Sequence, residues 1–185
     1  MSDASFKDDM IALVPNLRAF ARSLCGSADW ADDLVQETVL RAWTHRARFE
    51  PGTNLKAWLF TILRNYFFNE VRKRRRQVDV GTDSGALEVG IRENQSTALH
   101  LNDLVRELAK LAPSQREALI LIAVDGFSYE DAARICGCAV GTIKSRVARA
   151  RRELEEKLGG PDIEPIAPVA TASAGSGATQ PFGSR

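Results

Sequence analysis

The sequence predicts an all-α protein of two small helical domains joined by a flexible linker, on three observations. Apolar residues recur at spacings of three and four through two stretches, about 5–77 and about 98–158. No Asn-Gly or similar hairpin signal interrupts them. Between them, residues 78–97 are polar, rich in Gly and Asp and without a clear period, which reads as a linker.

Met10, Val14, Leu17, Ala21 and Leu24 share a face, predicting a first helix over about 5–25. Gly26-Ser27 ends it, and Asp29 is placed to cap a second helix running to about 47. Pro51-Gly52-Thr53 makes a turn before a long helix from about 54 to 75. In the second block, a helix over about 98–111 stops at Ala112-Pro113. The next runs from Ser114 to about Val124, with Ser114 and Glu117 spaced as a capping box. After Asp125-Gly126, Ser128 and Asp131 start a short helix to Cys136, Gly137-Cys138 turns, and a last helix covers about Val140–Leu158. Residues 159–185 hold four of the seven prolines among many Ala, Gly, Ser and Thr, and are expected to be a disordered tail.

The chain has 185 residues, 44% of them hydrophobic, enough to bury a core. No apolar run reaches the roughly 18–20 residues of a membrane span, and the first residues do not read as a signal peptide. Three cysteines, Cys25, Cys136 and Cys138, do not suit a disulfide framework and point to a reducing cytoplasm. The formal net charge of +1 conceals a pattern. Residues 51–77 carry seven bases and one acid, residues 78–143 five bases and ten acids, and residues 144–158 six bases and three acids. Two basic blocks around an acidic middle fit a polyanion touched in two places, although two solvated charged faces would leave the same pattern.

The last two helices have the order of a DNA-binding helix-turn-helix: a short capped helix, a glycine turn, then a basic helix. Val140, Ile143, Val147, Ala150 and Leu154 occupy a narrow arc and belong to the core. Thr142, Ser145, Arg149 and Arg152 lie opposite, with Arg146 at their flank, offering guanidinium groups to guanine edges and hydroxyls to bases or phosphates. On the second helix, Asp29, Asp32, Asp33, Gln36 and Glu37 share one side. Leu40 and Trp43 fall inside that acidic arc, as expected of a docking face for a basic protein. The third helix carries a core stripe of Leu55, Trp58, Leu59, Ile62 and Tyr66. Its second apolar group is Phe60, Phe67, Phe68 and Val71, with Arg64 among them and Asn65 nearby. Rings interleaved with arginines suit unstacked bases, and burial on two faces is the plain alternative. The adjacent cations Arg72, Lys73, Arg74, Arg75 and Arg76 repel one another and point to phosphate.

These residues together resemble bacterial sigma factors of the extracytoplasmic-function (ECF) class, which carry only the second and fourth sigma domains. Asp32-Asp33-Leu34-Val35-Gln36-Glu37-Thr38-Val39-Leu40-Arg41-Ala42-Trp43 is similar to the helix that docks on the clamp helices of the RNA polymerase largest subunit. Residues 54–65, Asn-Leu-Lys-Ala-Trp-Leu-Phe-Thr-Ile-Leu-Arg-Asn, resemble the segment that melts and captures the minus-ten element, with Asn65 at the edge of the pocket for a flipped base. Residues 126–133 and 140–147 resemble the minus-thirty-five reader, whose contacts map onto Lys144, Ser145 and Arg149. Leu17-Arg18-Ala19-Phe20-Ala21, residues 49–54 and residues 136–142 are similar to the alphaproteobacterial general-stress group, which an anti-sigma protein holds inactive. The resemblance implies domain 2 over 5–77, domain 4 over 98–158, core polymerase (clamp helices and flap), promoter DNA and an anti-sigma factor as partners, and no cofactor or metal. It implies a transcription initiation factor without catalysis of its own.

Three other readings compete. A helix-turn-helix repressor or activator leaves the acidic and aromatic helices without a use. A sigma-mimicking regulator that sequesters an anti-sigma factor is usually coupled to a receiver domain, and no such pattern is present. An enzyme lacks any nucleotide-binding, zinc-hydrolase or nucleophile motif here, and Cys136-x-Cys138 has no second ligand pair.

Overall fold

The structure, a computed structural model, describes residues 3–78 and 99–158, without the side chains of Arg75, Gln77, Val78 and residues 99–103. The expected linker, beyond Val78, and the expected tail lie outside the described residues. Among those described there are eight α-helices, a single 3-10 turn and no strand, so the all-α class is as the sequence predicts. The first unit holds α1 (Asp3–Ala12), α2 (Val14–Cys25), α3 (Ala28–Thr44), the 3-10 turn Arg46–Arg48 and α4 (Leu55–Val78). The second holds α5 (Leu99–Lys110), α6 (Pro113–Ala123), α7 (Tyr129–Cys136) and α8 (Val140–Leu158).

Three local details differ from expectation. The helix predicted over 5–25 is two helices, because Pro15 lacks an N–H and its ring would strike the carbonyl four residues back. Pro15 instead sits in the first turn of α2, where no donor is needed. Ser27, not Asp29, caps α3, its Oγ accepting from the Trp30 N–H at 3.4 Å. Asp29 lies in the first turn, where a carboxylate favours the positive helix end. Ser114 and Glu117 form no capping box, because Pro113 already starts α6 and Glu117 is drawn to a distant cation. The start of α4 is fixed by Asn54, whose Oδ1 accepts from the Ala57 N–H at 3.1 Å. The helix-turn-helix signals match: Ser128 Oγ accepts from the Asp131 N–H at 3.0 Å, and Gly137 closes α7 at φ 63°, a left-handed value that costs glycine nothing.

In the first unit, Leu17, Phe20, Leu34, Leu59, Phe60 and Leu63 are fully buried, and Phe6, Phe49 and Trp58 form an aromatic cluster at one end. In the second, Ile135, Ile143, Val147 and Ala150 join α7 to α8. The two units share one continuous core: α2 lies against α6, and α4 lies against α7. Helix α6 explains why. Its residues 116–122 are all buried, so it is covered on every side, by its own unit and by α2.

Candidate functional site

Three faces carry the residues singled out in the sequence. On α8, Ile143, Val147, Ala150 and Leu154 are buried, which turns Lys144, Ser145, Arg149 and Arg152 to the surface with Thr142 and Arg146 at the margin. Ser145 Oγ donates to the Thr142 carbonyl at 2.9 Å, Arg146 Nη1 reaches Cys138 Sγ at 3.8 Å, and Lys144 lies over the Tyr129 ring at 5.8 Å. Arg152 faces Glu156 at 4.0 Å, and Arg149 forms no ion pair among the described residues. The face is therefore an exposed cationic stripe at the N-terminal half of a helix, the shape and charge that enter a major groove.

On α3, Asp33 and Gln36 are exposed, Leu40 is 60% exposed and Trp43 36% exposed. Burial of Ala31, Leu34, Val35, Thr38 and Ala42 on the opposite side forces this orientation. Two of the acids are engaged: Asp32 with Arg18 of α2 at 2.6 Å and Glu37 with Arg41 at 2.6 Å. Both pairs are solvent-exposed and weak, so they exchange readily for an outside cation. The Arg46 guanidinium covers the Trp43 ring at 4.6 Å.

On α4 the sequence-predicted residues separate. Asn65, Arg72, Lys73, Arg74 and Arg76 are exposed, Arg74 resting on the Trp30 ring at 4.2 Å and Arg72 Nη2 donating to Asn69 Oδ1 at 2.7 Å. The side chain of Arg75 lies outside the described residues. Phe60 and Arg64 face inward, to the second unit. Phe60 is fully buried, stacked on Phe20 at 4.8 Å and edge-on to Phe127 at 4.9 Å. Arg64 Nε donates to Glu117 Oε1 at 2.5 Å, and burial pushes the Glu117 carboxyl above its usual range although Arg64 stands beside it. Lys56 Nζ donates to the Asp125 carbonyl at 2.6 Å and lies 4.8 Å from the Phe127 ring centre. Asn54 Nδ2 donates to Asp131 Oδ2 at 3.4 Å.

Sequence reasoning missed this junction of Lys56, Glu117, Asp125 and Phe127. One signal for it was present: Ala118-Leu119-Ile120-Leu121-Ile122-Ala123 is apolar all round, and a four-helix unit this small cannot cover such a helix alone.

The junction also holds uncompensated charge. Arg116, 5% exposed, donates through Nη1 to the Ala109 carbonyl at 3.0 Å, while its Nε has no partner among the described residues, and burial lowers its pKa. The Asp125 side chain is 4% exposed, with Oδ2 unpartnered among the described residues and Oδ1 3.8 Å from Lys56 Nζ. Burial raises its carboxyl from 3.8 to about 6, the nearby Lys56 offsetting only part. The folded chain therefore holds this proton more tightly than the unfolded one, so Asp125 lowers stability as pH rises through that window, fully above about 6. Asp125→Asn is expected to raise stability at pH 7 by about 1–3 kcal/mol, or several degrees in Tm, with the gain shrinking toward pH 4. Thermal melts at pH 4.5 and 7 check this, and a lower Tm at pH 7 would refute it.

Cys136 is buried, its thiol pushed up to about 12 by burial with Glu117 adding, and Cys138 is half-buried. Among the described residues no three His, Cys, Asp or Glu side chains gather as a metal site, and no helix is long and apolar enough to cross a membrane.

Residues 11–77 match the family model of sigma-70 region 2, and residues 101–154 that of sigma-70 region 4. The chain is similar to the ECF RNA polymerase sigma factor EcfG of Rhodopseudomonas palustris, 53% identical over 94% of this chain and 97% of that protein. Among solved structures it is similar to the sigma factor RpoE in complex with the anti-sigma factor NepR from Bartonella quintana (50% identity, TM-score 0.73, 85% of this chain and 98% of that one). A likeness to the anti-anti-sigma factor PhyR, complexed with NepR from the same organism, is 20% identical with TM-score 0.52. It covers 80% of this chain and 49% of that one, and concerns the fold alone.

Proposed function

The chain belongs to the sigma-70 family as an ECF RNA polymerase sigma factor, and from that premise we propose how its surfaces divide the work of promoter-specific initiation. The observation that carries the proposal is that regions 2 and 4 occur in one chain, in order, each bearing an exposed face of suitable charge. The unit over 5–77 is the polymerase and minus-ten domain. Its acidic α3 face, with Asp32, Asp33, Gln36 and Glu37 around Leu40 and Trp43, meets the basic clamp helices. Its α4 holds the minus-ten element, Asn65 at the base pocket and Arg72, Lys73, Arg74, Arg75 and Arg76 along the phosphates. The unit over 98–158 reads the minus-thirty-five duplex through Thr142, Lys144, Ser145, Arg146, Arg149 and Arg152, and docks on the flap. Unstacking a base costs a few kcal/mol, so α4 must bind extruded bases to offset it. Two weak modules on one chain raise each other's effective concentration and select one site.

The protein supplies binding energy rather than catalysis, and acts in the cytoplasm where polymerase is. A general-stress role and an anti-sigma partner are supported by the likeness to RpoE bound to NepR. The sigma-mimic reading is disfavoured: identity is 53% and 50% to sigma factors but 20% to the anti-anti-sigma protein. Run-off transcription with core polymerase tests the proposal, product being expected only when this protein is added. In the same assay Arg149→Ala should lose about 1–3 kcal/mol of discrimination for the upstream element, read as competition between promoters with and without it. Unchanged selectivity would remove Arg149 from the reading face.

A further inference from the structure

We propose that Trp30, in the first turn of α3, is a positioning residue for promoter DNA: its ring holds the Arg74 guanidinium of α4 ready for a backbone phosphate. The inference rests on the proposed minus-ten role of α4 for its ligand, and on the Trp30–Arg74 contact for its geometry.

Period and packing bring the pair together. Phe67, Val71 and Arg74 recur at spacings of four and three, so they line one face of α4, and α3 packs against α4. Phe67 is buried and Val71 half-buried, and Arg74 continues the same stripe to the surface. On α3, burial of Ala31 and Leu34 fixes the rotation of the helix, and Ser27 caps it at the Trp30 N–H. The half-buried Trp30 ring rests against Phe67, with ring centres 5.3 Å apart, and the Arg74 guanidinium carbon lies over it, 4.2 Å from its centre.

This contact suits a phosphate ligand. A guanidinium meets a ring with its flat face and a phosphate with its N–H edge, so the ring beneath Arg74 consumes none of its donors. Among the described residues no ion pair occupies that edge. Arg72 is the contrast: its Nε donates to the Phe68 carbonyl at 3.3 Å and its Nη2 to Asn69 Oδ1 at 2.7 Å, so its donors are turned back onto α4. Lys73 and Arg76 are exposed, and neither lies over a ring among the described residues. A carboxylate could hold Arg74 as firmly, but it would repel the phosphate that Arg74 is to meet. A ring holds the cation without an opposing charge, and a side chain already held loses less freedom on binding. The plain use of Trp30, as a cover for Phe67, needs a large apolar side chain but no π face, and the test turns on that difference.

Full-length wild type, Trp30→Leu, Trp30→Phe, Arg74→Ala and the Trp30→Leu, Arg74→Ala double variant are titrated against a fluorescein-labelled oligodeoxythymidine strand. Anisotropy over a salt series reads affinity, and circular dichroism checks native helicity. Arg74→Ala should weaken binding and reduce the slope of log affinity on log salt by about 0.7, the loss of a single-strand phosphate contact. Trp30→Leu should weaken binding about two- to tenfold, the cost of ordering one long side chain, with the wild-type slope because the charge remains. Trp30→Phe, which keeps a ring under the guanidinium, should bind within about twofold of wild type, and Trp30→Leu should change the affinity of Arg74→Ala by less than about twofold. Equal weakening by Trp30→Leu with and without Arg74 overturns the proposal. So does wild-type affinity in Trp30→Leu, or an equal loss in the Leu and Phe variants. If Trp30→Leu loses helicity, Trp30→Met takes its place, a flexible side chain that refills the contact without a π face. Run-off transcription with the same proteins keeps the two readings apart. No product from wild type strikes the sigma reading and leaves the binding cycle to decide the role of Trp30, whereas wild-type product with an additive cycle strikes that role alone.

Discussion

Asp33→Lys combined with Glu37→Lys is expected to remove detectable association with core polymerase, at least a hundredfold weaker binding, while leaving the helical content and Tm close to wild type. Both side chains lie on the outer face of α3, away from Leu34, Val35 and Thr38. Within the chain the change breaks the exposed Glu37–Arg41 pair, worth about 0.3–0.5 kcal/mol on a helix. Arg41 keeps its place over the Tyr66 ring at 4.3 Å. Against a basic partner the change is large. Two attractions become two repulsions beside Leu40 and Trp43, and like charges placed across an interface cost several kcal/mol. A pull-down with core polymerase, paired with a thermal melt, reads both halves. Normal retention by core would sink the docking face, and a collapsed melt would mean that these acids support the fold.

Helix positions and buried stripes are legible in the sequence because a helix reports its own burial at a spacing of three and four. Of the expected arc, Ile143, Val147, Ala150 and Leu154 are buried and Val140 is half-buried, while on the opposite face Ser145, Arg149 and Arg152 are exposed and Thr142 is half-buried. The exposure of Leu40 and Trp43 is legible for the converse reason: large apolar groups on a charged arc have no partner within the helix pair. Punctuation is legible only where it is strictly local. Ser128 and Gly137 act on residues within one turn. Pro15 is the strongest local signal, yet the apolar period runs through it unbroken and so hides the break between α1 and α2.

Glu117 shows where local reading stops. Three residues after Ser114 it has the spacing of a capping box, but its partner is Arg64, 53 positions away. Nothing in a periodic pattern encodes such a pairing. The aromatic group of α4 suits a base-stacking site or a second buried face, and in the structure Phe60 is buried completely. Both uses draw on the same property, a large flat apolar surface that gains by leaving water. Which one operates depends on whether the two units touch, and that is set by tertiary free energy rather than by sequence spacing.

Phe60→Ala is expected to cost about 3–5 kcal/mol, lowering Tm by about 6–15 °C, because a fully buried ring leaves a cavity that its neighbours cannot refill. Phe60 serves two packings at once. Its stack on Phe20 belongs to the first unit, and its edge contact with Phe127 belongs to the junction. Phe127→Ala removes the second alone, so it should cost less. If the units associate in solution as they do in the structure, the two substitutions will not add. The Phe60→Ala, Phe127→Ala double variant should be less destabilised than the sum by about 1 kcal/mol, the coupling of an aromatic pair in contact. Thermal unfolding of the four proteins gives that number directly. Additivity within about 0.3 kcal/mol would mean that Phe60 and Phe127 do not meet in the free protein. The two units would then unfold as separate transitions, and Phe60 would lie open to DNA before polymerase arrives. A coupling near the expected value ties melting of region 4 to that of region 2. It also means that a ring whose place in the sequence suits base stacking is one that the free chain keeps out of water.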